Sequence, residues 1–354
     1  MKKLNDLVRP NIRSLKPYSS ARNEFHGEAS VFLDANENPY NTAYNRYPDP
    51  MQGELKKRIS ELKDIAPEHI FTGNGSDEAI DLVIRAFCEP GVDNIVTITP
   101  SYGMYEVAAA TNNVGCVKVN LEPGFRLNAD AVLNAAGEHT KAIYLCSPNN
   151  PTGNLLSREE IYRILKYFQG LVVVDEAYID FAATPSFIRG LLSFPNLIVF
   201  QTLSKAWGAA GIRLGMAFAS SEIIAILNKI KYPYNISRPA QQCALEVLSR
   251  EACMKKQLEE ILRERTQVET ALEQLPFVKQ VYPSDANFIL VRVEDAQATY
   301  NYLVEKQIIV RNRHSIALCE GCIRITIGTP EENNLLLQAL KNYYSLGIRK
   351  ENNR

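Results

Sequence analysis

The chain is predicted to be an α/β protein, with a large domain on a mostly parallel, doubly wound sheet and a smaller α+β domain. Three observations predict it. From about Tyr47 to Tyr234 short apolar runs alternate with amphipathic stretches, as in Asn94 to Thr99, a helix near Tyr105, then Val114 to Val119. Leu171-Val172-Val173-Val174 is apolar at every position, the pattern of a strand covered on both faces, and it stops abruptly at Asp175. After Pro239 a long charged helical stretch reaches about Leu275, and shorter mixed elements follow.

Composition bounds the function. With 354 residues, 46% hydrophobic and 22% charged, the chain is long enough for two domains. A net charge of −1 gives no reason to expect nucleic acid or a membrane surface, so any anion preference must come from local clusters. No apolar stretch reaches spanning length, and the start, with interleaved charges and an early proline, lacks a signal peptide's apolar core, so the cytoplasm is expected. The seven cysteines, an odd number scattered through strand and helix patterns, predict reduced, buried thiols. Cys319 and Cys322 have metal-ligand spacing but lack a second pair, and no metal is expected.

Taken in order, residues 1–46 are expected to form an arm that packs with the small domain, 47–238 the large domain and 239–354 the small one. The stretch Thr72-Gly73-Asn74-Gly75-Ser76-Asp77-Glu78 runs into a helix with Ile80, Val83, Ile84 and Phe87 on one face. Glycines before a helix start make an anion site, because first-turn N–H groups are free and the dipole's positive end points there. As a dinucleotide fingerprint it fails, since Glu78 stands where the third glycine belongs. Ala142 to Cys146 reads as a strand leading into the stiff loop Ser147-Pro148-Asn149-Asn150-Pro151-Thr152-Gly153, where the Asn150 amide can donate from a fixed position. Ser157 and Glu160 form a capping box for a helix carrying Ile161, Ile164, Leu165 and Phe168. That helix crosses back to the strand ending at Asp175, the edge outside which open α/β sheets bind ligands.

Lys205 lies in Thr202-Leu203-Ser204-Lys205-Ala206-Trp207-Gly208, where a strand pattern gives way to a small-residue loop closed by Arg213. Placed in a cleft, such an amine is desolvated, loses basicity and becomes nucleophilic. Each piece by itself has a plainer reading: a solvated loop lysine, a helix-capping acid, an ordinary Asn-Pro turn. Together they make one demand. A lysine, a carboxylate, an amide, a phenol, an anion cradle and an arginine are the set that pyridoxal phosphate asks for. Asp175 would keep the pyridine nitrogen protonated, Asn150 and Tyr178 would hold the phenolate, and the Gly75, Ser76 and Asp77 main chain with Thr202, Ser204 and Arg213 would hold the phosphate. Beyond the helical stretch, Asn287 to Val293, a helix near Tyr302, Ile308 to Arg311, Ile323 to Ile327 and a helix from Glu331 make the α+β unit, with residues 349–354 a frayed tail.

The Asn-Pro-Thr-Gly loop, the Asp-Glu-Ala-Tyr strand end and the Thr-Leu-Ser-Lys loop, in that order, resemble the fold-type I pyridoxal-phosphate aminotransferases over nearly the whole chain. The resemblance implies Lys205 bonded to the cofactor and shuttling protons, Asp175 at the ring nitrogen, Tyr178 and Asn150 at the phenolate, and Tyr102 stacked on the ring. The segments Val8 to Tyr18, Leu33 to Pro39 and Asn45 to Pro48 narrow the likeness to the histidinol-phosphate branch. That branch implies histidinol phosphate and glutamate or 2-oxoglutarate as substrates, bound by Tyr18, Asn36, Arg311 and Arg324. It also implies a homodimer in which Tyr47 reaches the other subunit's cofactor phosphate. Arg22 and Arg313 could be further substrate arginines or plain surface ones. Three rivals remain: another amino-acid aminotransferase, a phospho-amino-acid decarboxylase with the same cofactor, and a non-catalytic regulator on this fold.

Overall fold

The computed structural model describes residues 3–18 and 30–351, with side chains to residue 345. Its elements run α1 (Leu4–Leu7), α2 (Pro10–Ser14), α3 (Gly53–Lys63), β1 (Ile70–Asn74), α4 (Ser76–Phe87), β2 (Asn94–Thr99), α5 (Met104–Thr111), β3 (Gly115–Asn120), α6 (Ala129–Ala135), β4 (Thr140–Cys146), α7 (Arg158–Tyr167), β5 (Leu171–Asp175), β6 (Leu197–Thr202), β7 (Leu214–Phe218) and α8 (Ser221–Ile230). There follow α9 (Arg238–Ser249), α10 (Glu251–Glu273), β8 (Val278–Val281), β9 (Phe288–Val293), α11 (Ala296–Glu305), β10 (Arg311–Asn312), β11 (Cys322–Thr326) and α12 (Pro330–Glu351).

Seven strands form the large sheet in the order β1-β7-β6-β5-β4-β2-β3. Neighbours from β6 through β3 pair parallel, while β7 runs antiparallel to both β1 and β6. Side chains alternate across the sheet, so the apolar run of β5 feeds two cores at once. Val172 and Val174 join Leu55, Val132, Ile161 and Ile164 on one face. Leu171 and Val173 join Ile80, Val83, Phe87, Tyr105 and Leu227 on the other. That is the doubly wound arrangement the alternation predicts. A smaller antiparallel sheet, β10-β11-β9-β8, packs with α10, α11 and α12 around Leu272, Ile289, Leu303, Ile325 and Leu340.

The structure corrects several expectations. The first part of the arm does not pack with the small domain. Leu7, Val8 and Ile12 are buried in the large domain's second core, the Arg9 N–H donates to the Ala86 carbonyl at 3.1 Å, and the Arg9 guanidinium meets Glu89 at 3.1 Å.

The stretch after Pro239 is not uniform. The charged stretch is two helices broken at Arg250, and α9 buries Ala244 and Leu248 in the large domain's first core. Only in α10 do Val268 and Leu272 enter the small core. Ser157 caps α7 by accepting from the Glu160 N–H at 3.2 Å, but the Glu160 carboxylate accepts from the Ala129 N–H at 2.6 Å and tethers α6 to α7. Two of the seven free thiols, Cys243 and Cys253, are exposed on α9 and α10, which have only one face against a core. The last helix continues to Glu351, through part of the stretch expected to fray.

Candidate active site

The carboxyl ends of β1, β2, β4, β5 and β6 meet at one edge of the large sheet, and there a cavity of about 700 Å³ opens toward the small domain. Gly75, Ser76, Asp77 and Tyr102 line it, as do Asn150, Asp175 and Tyr178. So do Thr202, Ser204, Lys205, Arg213, Arg311 and Arg324.

One end is shaped for an anion. The amino-terminal turn of α4 reaches the cavity at Ser76 and Asp77, bringing the positive end of a 12-residue helix with it. Gly75 stands at φ +77°, a left-handed conformation that favours glycine, and a Cβ there would lie 2.7 Å from the tip of the Arg213 guanidinium, which would have to move aside. The Gly75 N–H donates to the Arg213 carbonyl at 2.6 Å, and Arg213 Nη2 stands 3.5 Å from Asp77 Oδ2. Gly215 lets β7 pass close behind: a Cβ would be 2.0 Å from the Ser76 backbone nitrogen. The Thr202 hydroxyl accepts from the Ser204 N–H at 3.1 Å, which folds that loop back over the cradle. Glu78, the residue that spoils a dinucleotide fingerprint, turns away to accept from the Asn235 amide at 3.1 Å.

The cavity floor holds a buried acid. Asp175 is 2% exposed; its Oδ2 accepts from the Tyr105 hydroxyl at 2.7 Å and its Oδ1 from the Ala177 N–H at 3.1 Å. Burial pushes its pKa up to about 6, and the Tyr105 and Ala177 bonds oppose that rise. Burial lowers the Lys205 pKa, the Arg324 charge lowers it further, and Asp175 acts against both. Lys205 Nζ lies 5.5 Å from the centre of the Tyr178 ring. The Asn150 amide donates to the Tyr178 hydroxyl at 3.5 Å while its oxygen accepts from Arg324 Nη1 at 2.5 Å, so one asparagine joins the large domain's loop to β11. Tyr102 donates to Asp77 at 3.1 Å and meets Tyr105 edge-on at 5.6 Å.

Three predicted residues lie elsewhere. Tyr18 is 70% exposed on the arm. Tyr47 stacks on Tyr234 at 4.4 Å in a separate cleft that Asn36 also lines. Arg22 falls outside the described residues. The sequence reading missed Tyr105 as the partner of Asp175. Its signal was the Tyr102-to-Tyr105 spacing, which puts two phenols on one side of a helix start. Arg313, left undecided from sequence, lines the cavity beside Arg311 and Arg324.

These residues fit pyridoxal phosphate by chemistry: an amine of lowered basicity, a buried acid with room beside it, and a cradle that only glycine permits. The sequence model of the family "Aminotransferase class I and II" matches residues 23–340, and the chain belongs to that family. The histidinol-phosphate aminotransferase of Parabacteroides distasonis is 67% identical over 342 residues, covering 97% of this chain and 99% of that protein. The solved histidinol-phosphate aminotransferase from Clostridium acetobutylicum is similar at a TM-score of 0.79 and 27% identity, over 85% of this chain and 91% of that one. The one from Sinorhizobium meliloti, in complex with pyridoxal-5'-phosphate, gives 0.78 and 25% over 86% and 84%. Within the family the chain belongs with the histidinol-phosphate aminotransferases.

Proposed function

We propose that the protein transfers the amino group of L-histidinol phosphate to 2-oxoglutarate, giving imidazole acetol phosphate and L-glutamate in histidine biosynthesis, with pyridoxal phosphate as cofactor. The observation that carries this is the convergence of Lys205, Asp175 and the Gly75–Arg213 cradle on one cavity whose opposite wall is arginine-rich. When bound, the cofactor supplies a carbonyl carbon that accepts the amino group and a ring that withdraws electrons from the neighbouring bond.

This chain's residues supply the rest. The Ser76 and Asp77 main chain, with Thr202, Ser204 and Arg213, would hold the cofactor phosphate, and Tyr102 would cover the ring. Asp175 would keep a proton on the ring nitrogen, since a cation beside it would draw the carboxyl back toward its ionised form. Asn150 and Tyr178 orient the ring hydroxyl. Lys205 would hold the cofactor through Nζ, and its free amine would take the proton from the substrate's amine-bearing carbon and later return it. Burial and the Arg324 charge lower its basicity, which favours the neutral amine that a proton acceptor must be. Arg324 and Arg311 would grip the substrate anion, with Tyr18 and Asn36 closing over it. The protein would act as a homodimer in the cytoplasm, with Tyr47 of the partner subunit completing the phosphate site.

Borohydride reduction of the holoenzyme followed by peptide mass spectrometry should place the cofactor on Lys205. Steady-state assays should show ping-pong kinetics with histidinol phosphate and 2-oxoglutarate, and K205A should lose turnover entirely. A K205A protein that still transaminates ends the reading. With a carboxylate-bearing phospho-amino acid such as O-phospho-L-threonine in place of histidinol phosphate, carbon dioxide release without glutamate formation would favour the decarboxylase instead.

A further inference from the structure

Strand geometry gathers three cations. In β10 and the residue after it, Arg311 and Arg313 are two apart and so share a face. Arg311 sits opposite Arg324 in the ladder to β11, and the Arg313 N–H extends that ladder to the Cys322 carbonyl at 2.9 Å. All three line the cavity. Among the described residues no aspartate or glutamate stands within ion-pairing distance of any of them, and the Nε atoms of Arg313 and Arg324 are buried without a hydrogen-bond partner. Burial, then Arg324 and Arg311, push the Arg313 pKa down to about 10, still cationic at neutral pH. Such a cluster is costly unless a ligand of high negative charge completes it.

We infer that Arg313 is a substrate-binding residue that selects a phosphomonoester over a carboxylate, acting as the third guanidinium on the substrate's phosphate. The inference rests on the reading of the protein as a transaminase of a phosphorylated amine. A carboxylate carries one charge and fits one planar fork, which Arg324 provides. A phosphomonoester near neutral pH carries close to two charges on three oxygens, and can engage a third guanidinium beside Arg324 and Arg311.

The test compares wild type, R313Q, R313M and R313K holoenzymes in single-turnover and steady-state assays with histidinol phosphate, histidinol and glutamate. In R313Q and R313M, kcat/KM for histidinol phosphate should fall about 10- to 100-fold, mostly through KM, as one charge-assisted contact is lost. The inhibition constant of inorganic phosphate should rise in step, the histidinol and glutamate half-reactions should change little, and R313K should recover most of the loss. R313M retains an unbranched apolar stem, so it carries the comparison if R313Q folds poorly. Equal losses on all three substrates, or an unchanged preference for histidinol phosphate, overturn the assignment to Arg313 alone. A wild-type enzyme that does not prefer histidinol phosphate to histidinol overturns the functional reading as well, and this one with it.

Discussion

At the scale of single residues, Asp175 carries the clearest energetic signature. Burial raises its carboxyl to about 6 in the folded protein, against 3.8 for an unburied aspartate, so between those values the folded state keeps a proton that the unfolded chain has released. Stability therefore falls as pH rises through that window, and the cost is fully present above it. In the cofactor-free protein, D175N should be more stable than wild type at pH 7.5 by roughly 3 kcal/mol, with the gap closing near pH 4. Urea unfolding at the two pH values measures it; a constant gap would mean that packing, not ionisation, is responsible. Tyr105 holds that acid, and its hydroxyl favours the ionised form. Y105F should raise the acidic limb of the kcat/KM profile by about one pH unit and reduce turnover about tenfold. A profile that overlays wild type would leave Tyr105 as a space-filler.

At the scale of elements, the anion cradle is where two backbones touch. β7 runs antiparallel beside β1, and Gly215 is the point at which it clears the start of α4. G215A would set a methyl against backbone atoms of Gly75 and Ser76 that have no rotamer by which to move aside. The expected cost is about 3 kcal/mol of stability, together with a loss of cofactor affinity larger than R213A produces. Chemical denaturation and cofactor titration read the two effects separately, and a G215A protein matching wild type in both would show that the loop can slide. The elements themselves were largely legible: β2 spans the residues its pattern predicts, and β5 ends at the acid where the apolar run stops. The helical stretch after Pro239 was not, because its break at Arg250 carries neither proline nor glycine. What separates α9 from α10 is which core each joins, and that is a property of the packed molecule.

At the scale of the whole molecule, the proposed sharing of sites between subunits makes a prediction of its own. Tyr47 stacks on Tyr234 in a cleft apart from the main cavity, although Tyr234 and Arg213 border a common hollow between the two. If Tyr47 serves the neighbouring subunit, K205A and Y47F chains refolded together should form mixed dimers in which one site has both its own Lys205 and the other chain's Tyr47. Activity above that of either parent is expected, approaching half of wild type per mixed dimer. Activity no greater than the average of the parents would place Tyr47 in its own subunit's site or in none.

Residue types and their order determined which chemistry this chain can carry. Local pattern suffices for that: an apolar strand ending in a carboxylate sets an acid at the sheet edge where open α/β sheets bind ligands, and a glycine loop before a helix leaves N–H groups free. Tertiary structure alone decided which side chains meet. The burial that raises Asp175, the Tyr105 hydroxyl that restrains it, and the gathering of Arg311, Arg313 and Arg324 all depend on contacts between segments far apart in the chain. Ionisation and charge crowding are set by the surroundings in space, and no window of sequence contains those surroundings.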